Sequence, residues 1–572
     1  MLLRGNVGPR NVYERGVDRA HGIVIRIAVV VDKLATFGLF LYFGAFLVGW
    51  WVYSLAVPHG LRWSGLKVGF LVAFLVYCFV LFRGAIFKLI YLFIVMLRSG
   101  GRVARRLQKD KPAVRPEGFS LSMGSTTGAL SSRSHGAGMA PGQEVFLSLQ
   151  DATQNIVTIG GIGSGKTTRV MQPVLVQLFQ QDCGGLIFDI KGDFKSAVYK
   201  LAEEHKREII TIGVHQKGVN LLKGLSPEMS ASFLKSAFFL AGIGGADRFW
   251  IDTATELCKN SLGVLSFVPG AYSLEALYRY LFFETERDTL TAEANERLSE
   301  LDQRQTRLLL SYMKYQEAVF SSFDDKVKQG VLATVAQVLS PFQHPDLVDA
   351  FCTDHEEAIN MENILNGDIY LVDLPLATWG LGGKAVYTFI KLRFFNVLQA
   401  RSSREDLNQE RPIFFMCDEY QDVISANKAG LSDLNFWDKS RSAKCIGIIS
   451  AQSISSFRSA VGDRVLADTV LQNFRQKVCF RTEDLETVNY MNQLSGRVEV
   501  QRVSESRSVG TSSGDGGIHN QESSGTSTGW IERPTVDAQL IRQLGPDQAI
   551  VFFNIDGHAM DDVVQMKPVF VE

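Results

Sequence analysis

The nine residues GGIGSGKTT at 160–168 constrain the fold of this 572-residue chain more than any other stretch. They match the pattern G-x-x-x-x-G-K-[ST], and an apolar run at 155–159 precedes them. A helical stretch at 167–179 follows. A strand, a glycine-rich turn and a helix in this order predict an α/β fold. In such a fold, backbone N–H groups at a helix N-terminus surround phosphate groups.

Each position of this loop has an expected role. Lys166 is expected to reach the β- and γ-phosphates of a nucleotide, and Thr167 to place its hydroxyl on Mg²⁺. ATP and Mg²⁺ are therefore the predicted cofactors. A chance glycine-rich turn is the alternative, and the flanking strand and helix disfavour it. The predicted nucleotide-binding residues are Gly160, Gly161, Gly163, Ser164, Gly165, Lys166, Thr167 and Thr168.

Two adjacent carboxylates, Asp418 and Glu419, follow a second apolar run at 413–417. The carboxyl end of a strand is where ligands bind in an α/β sheet. We expect Asp418 to hold Mg²⁺, directly or through water, and Glu419 to orient and deprotonate the attacking water. Such a pair can instead cap the next helix. The phosphate-binding loop (P-loop) at 160–168 favours the catalytic interpretation.

Other polar residues are weaker catalytic candidates. Gln452 follows a third apolar run and is placed to sense the γ-phosphate or position water, although an ordinary turn would also use it. Arg441 lies on a predicted helix before that run. It is a candidate to reach across a subunit boundary, but spacing alone favours a solvated helix. Arg475 and Arg481 are rivals for this role, and Asp189 either contacts the nucleotide site or caps a turn.

The first hundred residues predict a membrane anchor. No residue from 34 to 57 is charged, and a second apolar run covers 63–82. Each is long enough to cross a bilayer as a helix. Basic residues before the first run and after the second predict that both termini are cytoplasmic. The prediction is thus a multi-pass protein of the bacterial inner membrane with two transmembrane helices, in contact with the lipid bilayer. Two buried core helices are the alternative.

The remaining chain predicts a nucleotide-binding domain interrupted by helices. The predicted strands are 155–159, 185–189, 209–212, 368–372, 413–417, 445–449, 477–480 and 549–553. Predicted helices of an all-α insertion are 226–240, 252–265, 273–283, 292–320 and 324–339. The predicted organisation is a cytoplasmic segment 1–33, an anchor 34–97, a basic, Gly/Ser-rich linker 98–145, a nucleotide-binding domain formed by 146–223 and 351–572, an insertion 224–350, and a flexible Ser/Gly loop 502–529.

Composition excludes some classes of protein. The formal net charge is −1, so the chain is not a wholesale electrostatic DNA binder and any contact with nucleic acid must be local. The seven cysteines form no CxxC pair, which argues against a zinc site or a disulfide framework.

Several further segments occur in one order and resemble a known family. The sequence resembles type IV secretion coupling proteins of the TraG/TraD type from about residue 30 to about residue 500. Besides the P-loop, the segments are FDIKGDF (188–194), NLLKGLSPE (220–228), RFWIDTATEL (248–257), VDLP (372–375), FFMCDEYQDV (414–423), AQS (451–453) and FRTEDLETVNYMNQLSG (480–496).

The resemblance implies a RecA-like motor with an all-α insertion that assembles as a hexameric ring. It implies that the ring delivers a relaxase bound to single-stranded DNA, or an effector protein, to the components of a type IV secretion channel. It also implies catalytic roles for Lys166, Glu419 and Gln452, and an intersubunit role for Arg441. Ser450 and Ala451 depart from the family's pattern, which often has two short aliphatic residues there.

Two other functions stay open at this point. One is a double-strand DNA pump of the FtsK/HerA kind, although no small DNA-reading domain is evident after Gln539. The other is a membrane platform that binds nucleotide but acts as a receptor for secreted proteins.

Overall fold

The computed structural model describes residues 47, 51, 117–130, 140–241, 248–354, 359–426, 430–514 and 517–571. The chain divides into two compact units. The larger unit contains the main sheet and the helices whose ranges are given below, and it is described first. The smaller one contains residues 497–533.

The strands of the described residues form two sheets. They are β1 Ser120–Thr126, β2 Glu144–Ser148, β3 Ile156–Ile159, β4 Gly184–Asp189, β5 Ile210–Gly213, β6 Ile369–Asp373, β7 Ile413–Cys417, β8 Cys445–Ala451, β9 Gln476–Cys479, β10 Arg497–Gly514, β11 Gly517–Pro534, β12 Gln548–Ile555 and β13 His558–Gln565. The main sheet has the order β2-β1-β13-β12-β9-β3-β8-β7-β4-β6-β5.

The seven strands from β9 to β5 in this order are parallel, and β12, β13, β1 and β2 continue the sheet antiparallel. All residues of β3, β4, β7, β8 and β9 are buried. Strands buried on both faces need continuous apolar runs. This explains why all eight predicted strands are confirmed, with ends within two residues.

Part of the predicted linker 98–145 belongs to the main sheet, which corrects that prediction. Ser125 and Thr126 of β1 pair with Gln565 and Val564 of β13. β1 reads SLSMGST, whose serines and glycine resemble a loop in composition. Pairing with a strand more than 400 residues away overrides this local preference, as tertiary context does in sheets.

The helices cover both faces of the sheet, and several of them form a cluster that lies between β5 and β6 in the sequence. They are α1 Leu149–Ala152, α2 Gln172–Phe179, α3 Lys195–Glu204, α4 Pro227–Leu240, α5 Arg248–Leu265, α6 Leu274–Phe282, α7 Glu284–Glu296, α8 Gln303–Lys314, α9 Asp325–Leu339, α10 Pro345–Phe351, α11 Leu376–Arg401, α12 Asp433–Phe436, α13 Ile454–Val461, α14 Arg464–Gln472, α15 Leu485–Leu494 and α16 Ala538–Arg542. Helices α4 to α10 are the cluster between β5 and β6.

One predicted helix of this cluster, 292–320, is wrong as a single element. The chain forms α7, then α8, and then a π-helical turn Tyr315–Val319. The break has a local cause. The Asp302 side chain accepts a hydrogen bond from Gln305 N, and the Gln305 side chain reaches back to Asp302 N. This capping box starts a new helix.

The smaller unit corrects the predicted flexible loop 502–529. There β10 and β11 pair as a two-stranded sheet. Residues 501–508 and 523–530 are exposed, so these stretches bury no apolar face and leave no hydrophobic pattern in the sequence. Backbone pairing supplies the order that composition does not indicate.

The predicted membrane anchor and inner-membrane location are also corrected. Within the part of the chain that the structure describes, no helix combines the length and the apolar character that crossing a bilayer requires. Apart from Leu47 and Trp51, the predicted spans 34–57 and 63–82 lie outside the described residues.

Arg401, at the end of α11, is 1% exposed. Its guanidinium donates to Ala443 O at 2.8 Å, to Arg411 O at 2.9 Å and to Asn408 O. We expect Arg401→Leu to lower the free energy of unfolding by about 3 kcal/mol, because three carbonyls lose a charged donor. Urea unfolding followed by tryptophan fluorescence measures this loss. Arg404→Leu, which removes an exposed guanidinium nearby, should leave the midpoint nearly unchanged, and equal losses would contradict the assignment.

Candidate nucleotide-binding site

The P-loop joins β3 to a π-helical turn, Thr167–Met171, that continues into α2. Gly163 and Gly165 have φ values of +71° and +87°, in the left-handed region that favours glycine. A Cβ atom on Gly160 would lie 2.6 Å from Ser164 Oγ and 2.7 Å from Phe480 Cβ. These glycines therefore let the backbone fold tightly around the space for phosphate.

Lys166 lies within this loop and is 7% exposed. Its Nζ donates a hydrogen bond to Gly160 O at 2.9 Å. Burial lowers the pKa of Lys166, and the negative charges of Glu419 and Asp418 oppose that shift. The Lys166 ammonium group therefore lies between the loop and the acidic pair, Asp418 and Glu419.

Asp418 is bound directly to the P-loop. Thr167 Oγ1 donates to Asp418 Oδ2 at 3.0 Å, while the Ser450 hydroxyl and Glu419 N donate to Oδ1. A hydroxyl and a carboxylate this close form an oxygen donor set that suits Mg²⁺. Across the described residues no cluster of three or more His, Cys, Asp or Glu is placed to hold a metal. A Mg²⁺ ion that takes its other ligands from phosphate and water needs no such cluster.

Glu419 is 3% exposed and has a left-handed backbone, with φ 54° and ψ 48°. Its Oε1 accepts from Lys191 Nζ at 2.5 Å, and its Oε2 accepts from Gln421 Nε2 at 2.6 Å. Burial favours the neutral acid, but the hydrogen bonds from Lys191 and Gln421 and the charge of Lys166 outweigh it and lower the pKa of Glu419. Its carboxylate is therefore ionised and held in place. Backbone strain of this kind often occurs at functional sites.

Sequence reasoning missed Lys191, Ser450 and Gln421. Lys191 lies in the segment FDIKGDF, two residues after Asp189, so the signal was present but its partner, Glu419, is 228 residues away. Asp189 itself accepts from the N–H groups of Gly192 and Lys195, at 2.8 Å each. Of the two interpretations of Asp189, the structure favours the turn cap.

Gln452 directly follows β8, the strand between β3 and β7. Gly160 N donates to Ala451 O at 3.3 Å, which places Gln452 beside the start of the P-loop. Its side chain is half-buried, and among the described residues it makes no side-chain hydrogen bond. The structure therefore brings Gln452, Lys166 and the acidic pair to one edge of the sheet.

Arg441 does not join them. It is exposed in the turn 437–444 and not on a helix, because α12 ends at Phe436. This turn precedes β8, so it lies at the amino ends of the parallel strands, here called the amino edge. The P-loop lies at their carboxyl ends, the carboxyl edge. The seven residues of β8 separate the two edges, at about 3.3 Å per residue. Arg441 cannot reach the P-loop of its own chain.

The rival arginines lie at opposite edges. Arg475 precedes β9 and donates through Nη1 to Gln154 Oε1 at 3.4 Å, at the amino edge. Arg481 follows β9, and its carbonyl accepts from Gly161 N at 3.3 Å, at the carboxyl edge. The side chain of Arg481 is exposed next to the P-loop.

The two first glycines of the P-loop provide a matched test of this geometry. Gly160→Ala should weaken nucleotide binding about five- to 150-fold, because overpacking against Phe480 costs about 1–3 kcal/mol. Gly161→Ala should bind normally, since the nearest atom to its new Cβ is 3.7 Å away. Titration with a fluorescent ADP analogue measures both. Equal affinities for the two variants would show that the loop is built differently.

Two protein-family models match the chain. Residues 143–305 match the type IV secretion-system coupling protein DNA-binding domain. Residues 412–546 match the model described as the TraM recognition site of TraD and TraG. The first range contains the P-loop, and the second contains the acidic pair and Gln452. None of the curated proteins matches this sequence.

Solved structures of the bacterial conjugative coupling protein TrwB are similar in fold. The unbound monoclinic form of TrwBdeltaN70 is 16% identical with a TM-score of 0.52, over 75% of this chain and 87% of that chain. TrwB in complex with ADP and Mg²⁺ is 15% identical with a TM-score of 0.51, over 73% and 87%. TrwB with the non-hydrolysable ATP analogue ADPNP is 15% identical with a TM-score of 0.52, over 80% and 96%.

At these identities the structural likeness establishes the fold alone, an α/β RecA-like core. The two family models match separate parts of the chain, and each model describes a domain of coupling proteins. The chain therefore resembles type IV secretion coupling proteins of the TraG/TraD type in both matched domains.

Proposed function

We propose that this protein is the ATPase that couples a conjugative DNA substrate to a type IV secretion channel. It recruits a relaxase bound to single-stranded DNA, or an effector protein, and uses ATP hydrolysis to deliver it. The contact between Thr167 and Asp418, at 3.0 Å, is the observation that carries the proposal. It joins the phosphate-binding loop to the acidic pair, which a loop that only binds phosphate does not need.

The residues of the site have complementary tasks in hydrolysis. Lys166 binds the β- and γ-phosphate oxygens, and Thr167 and Asp418 hold Mg²⁺. Bound Mg²⁺ supplies positive charge that neutralises phosphate oxygens. Glu419 orients a water molecule and takes its proton as the water oxygen bonds to the γ-phosphorus and the bond to the β–γ bridging oxygen breaks. Gln452, which directly follows β8, orients the same water.

The position of Arg441 supports a ring. It lies at the sheet edge opposite its own P-loop, so any P-loop that it completes belongs to another copy of the chain. In a closed hexameric ring, each subunit would offer Arg441 to the site of its neighbour, where a positive charge stabilises the transferring phosphoryl group.

The descriptions of the matched family models support the partners. The match of residues 143–305 to a DNA-binding domain supports contact with DNA. The match of residues 412–546 to a TraM recognition site supports an accessory protein of the TraM kind as a second partner. The double-strand pump and the receptor platform stay predictions that no observation in the structure favours.

Two substitutions test the proposal. Glu419→Gln should bind ATP but lower kcat by about 10²–10⁴-fold, because the general base is lost. Lys166→Ala should lose nucleotide binding as well. Both should abolish plasmid transfer, measured by mating, while phosphate release is measured on the purified protein.

Lys235→Ala provides a matched lysine control in α4. Lys235 is paired with Asp252 at 2.6 Å, within the helical cluster. This variant should hydrolyse ATP and transfer DNA normally. Transfer that survives without hydrolysis would contradict the motor and favour the receptor platform.

A further inference from the structure

A buried ion pair lies behind the acidic pair. Lys391, in the middle of α11, donates through Nζ to Asp433 Oδ2 at 2.7 Å, and both side chains are 0% exposed. The same ammonium also donates to Val423 O. Neither residue contacts the P-loop, and the hydrolysis described above uses neither.

Every oxygen of Asp433 is occupied. Oδ1 accepts from the Tyr420 hydroxyl and from Trp437 Nε1, the latter at 3.2 Å. Oδ2 accepts from Ser425 N at 2.6 Å and Ser425 Oγ at 3.1 Å, besides Lys391. Trp437 Nε1 also donates to Tyr420 Oη at 3.0 Å. Lys391, Asp433, Tyr420 and Trp437 therefore form one connected group, here called the buried network.

Stability alone is a weak reason for such a network. Removing two charges from water costs several kcal/mol per ion, and well-packed apolar residues of similar volume are often equally stable. Trp437 and Tyr420 already pack among aromatic rings, with the Phe415 ring centroid 5.7 and 5.9 Å away. The polar groups add hydrogen bonds to this apolar packing. These bonds fix the positions of the segments that carry them relative to one another.

Those segments carry the two candidate catalytic groups that lie at opposite edges of the sheet. Tyr420 directly follows Glu419 and begins the 3₁₀ turn Tyr420–Asp422. Trp437 begins the turn 437–444 that carries Arg441. Within that turn the Ser440 hydroxyl donates to Trp437 O at 3.0 Å. A continuous path of bonds thus connects the residue after Glu419 with the residue before Arg441.

The same helix also holds the far end of the turn. Arg401, ten residues after Lys391 on α11, donates to Ala443 O at 2.8 Å. Asn155, directly before the strand that leads to the P-loop, donates to Ser440 Oγ at 3.0 Å. Although Arg441 itself is exposed, both ends of its turn are attached to buried groups.

We propose that the buried network is a positioning device that fixes the turn carrying Arg441 relative to Glu419, so that a shift of Glu419 in one site moves the arginine offered to the next. The inference rests on the proposed function, in which Arg441 completes the site of a neighbouring subunit. The four residues touch neither nucleotide nor water in that reaction, so they act through Glu419 and Arg441. The network is attached both to the segment after Glu419 and to the turn that carries Arg441. A conformational change at one site can therefore be transmitted to the next site.

Tyr420→Phe is the sharpest single change. It removes only the hydroxyl and leaves the ion pair and the Trp437–Asp433 bond in place. Tyr370→Phe is the matched control, because Tyr370 is equally buried and its hydroxyl donates to Asn360 O at 2.9 Å, away from the site. We expect both variants to lose similar thermal stability. We expect only Tyr420→Phe to lower kcat, by about tenfold, with an unchanged KM for ATP.

Subunit mixing then locates the defect. Lys166→Ala subunits cannot hydrolyse ATP but still present an intact Arg441 turn. If the network positions Arg441, adding them to Tyr420→Phe subunits should raise the activity per Tyr420→Phe subunit at least threefold. Arg441→Ala subunits should be rescued in the same way.

The outcomes separate the two levels of the proposal. Equal kcat for Tyr420→Phe and Tyr370→Phe, or a defect of Tyr420→Phe that mixing does not rescue while Arg441→Ala is rescued, would overturn the network's link to Arg441. An Arg441→Ala protein that keeps full activity, or that mixing fails to rescue, would overturn the intersubunit arginine of the proposed function instead.

Discussion

The parallel register of three neighbouring strands determines the rest of the site. Ile159 of β3 pairs with Ala451 of β8, and Cys417 of β7 pairs with Ile449 of β8. Parallel strands end at the same edge, so this register brings the P-loop, the acidic pair and Gln452 together. A slip of one residue in β7 would turn the side chains of that strand to opposite faces and separate Asp418 from Thr167.

At the carboxyl ends of these strands, the positive and negative side chains of the site are equal in number. Lys166 and Lys191 face Asp418 and Glu419, two cations against two anions. Lys166 and Glu419 are buried, whereas Lys191 is exposed. A nucleotide with Mg²⁺ brings further negative charge to the loop, which competes with Glu419 for the two ammonium groups. Electrostatic preorganisation of this kind is usually the largest contribution to phosphoryl-transfer catalysis. Residues that only bind nucleotide and residues that act in turnover therefore share one electrostatic environment.

An element can be predicted from the sequence when the residues that specify it are close together in the chain. The parallel strands are continuous apolar runs, so their positions could be predicted to within two residues. The P-loop and the acidic pair are local motifs and could be found as well. β1 could not, because its Ser- and Gly-containing sequence resembles a loop and it pairs with β13 across the chain. β13 is not predicted either, although it pairs with its neighbour β12. The exposed stretches 501–508 and 523–530 of β10 and β11 bury no apolar face and leave no hydrophobic pattern.

The same distinction applies within the site. Lys191 meets Glu419 across 228 residues, and Lys391 meets Asp433 across 42, so no spacing rule identifies either contact. The predicted helix around Arg441 is a turn for a related reason. Asp433 and Trp437 direct their side chains into the buried network, and Ser440 Oγ bonds back to Trp437 O in place of a continuing helix. Tertiary partners, and not helix propensity, decide the path of the chain there.

The central claim is that this site hydrolyses ATP and does not merely bind it. Rapid mixing of excess unmodified protein with γ-labelled ATP and Mg²⁺, with single-stranded DNA present or absent, tests it most directly. The account predicts release of labelled phosphate that requires Mg²⁺ and that single-stranded DNA accelerates. Tight binding of ATP with no phosphate released under either condition would contradict the account.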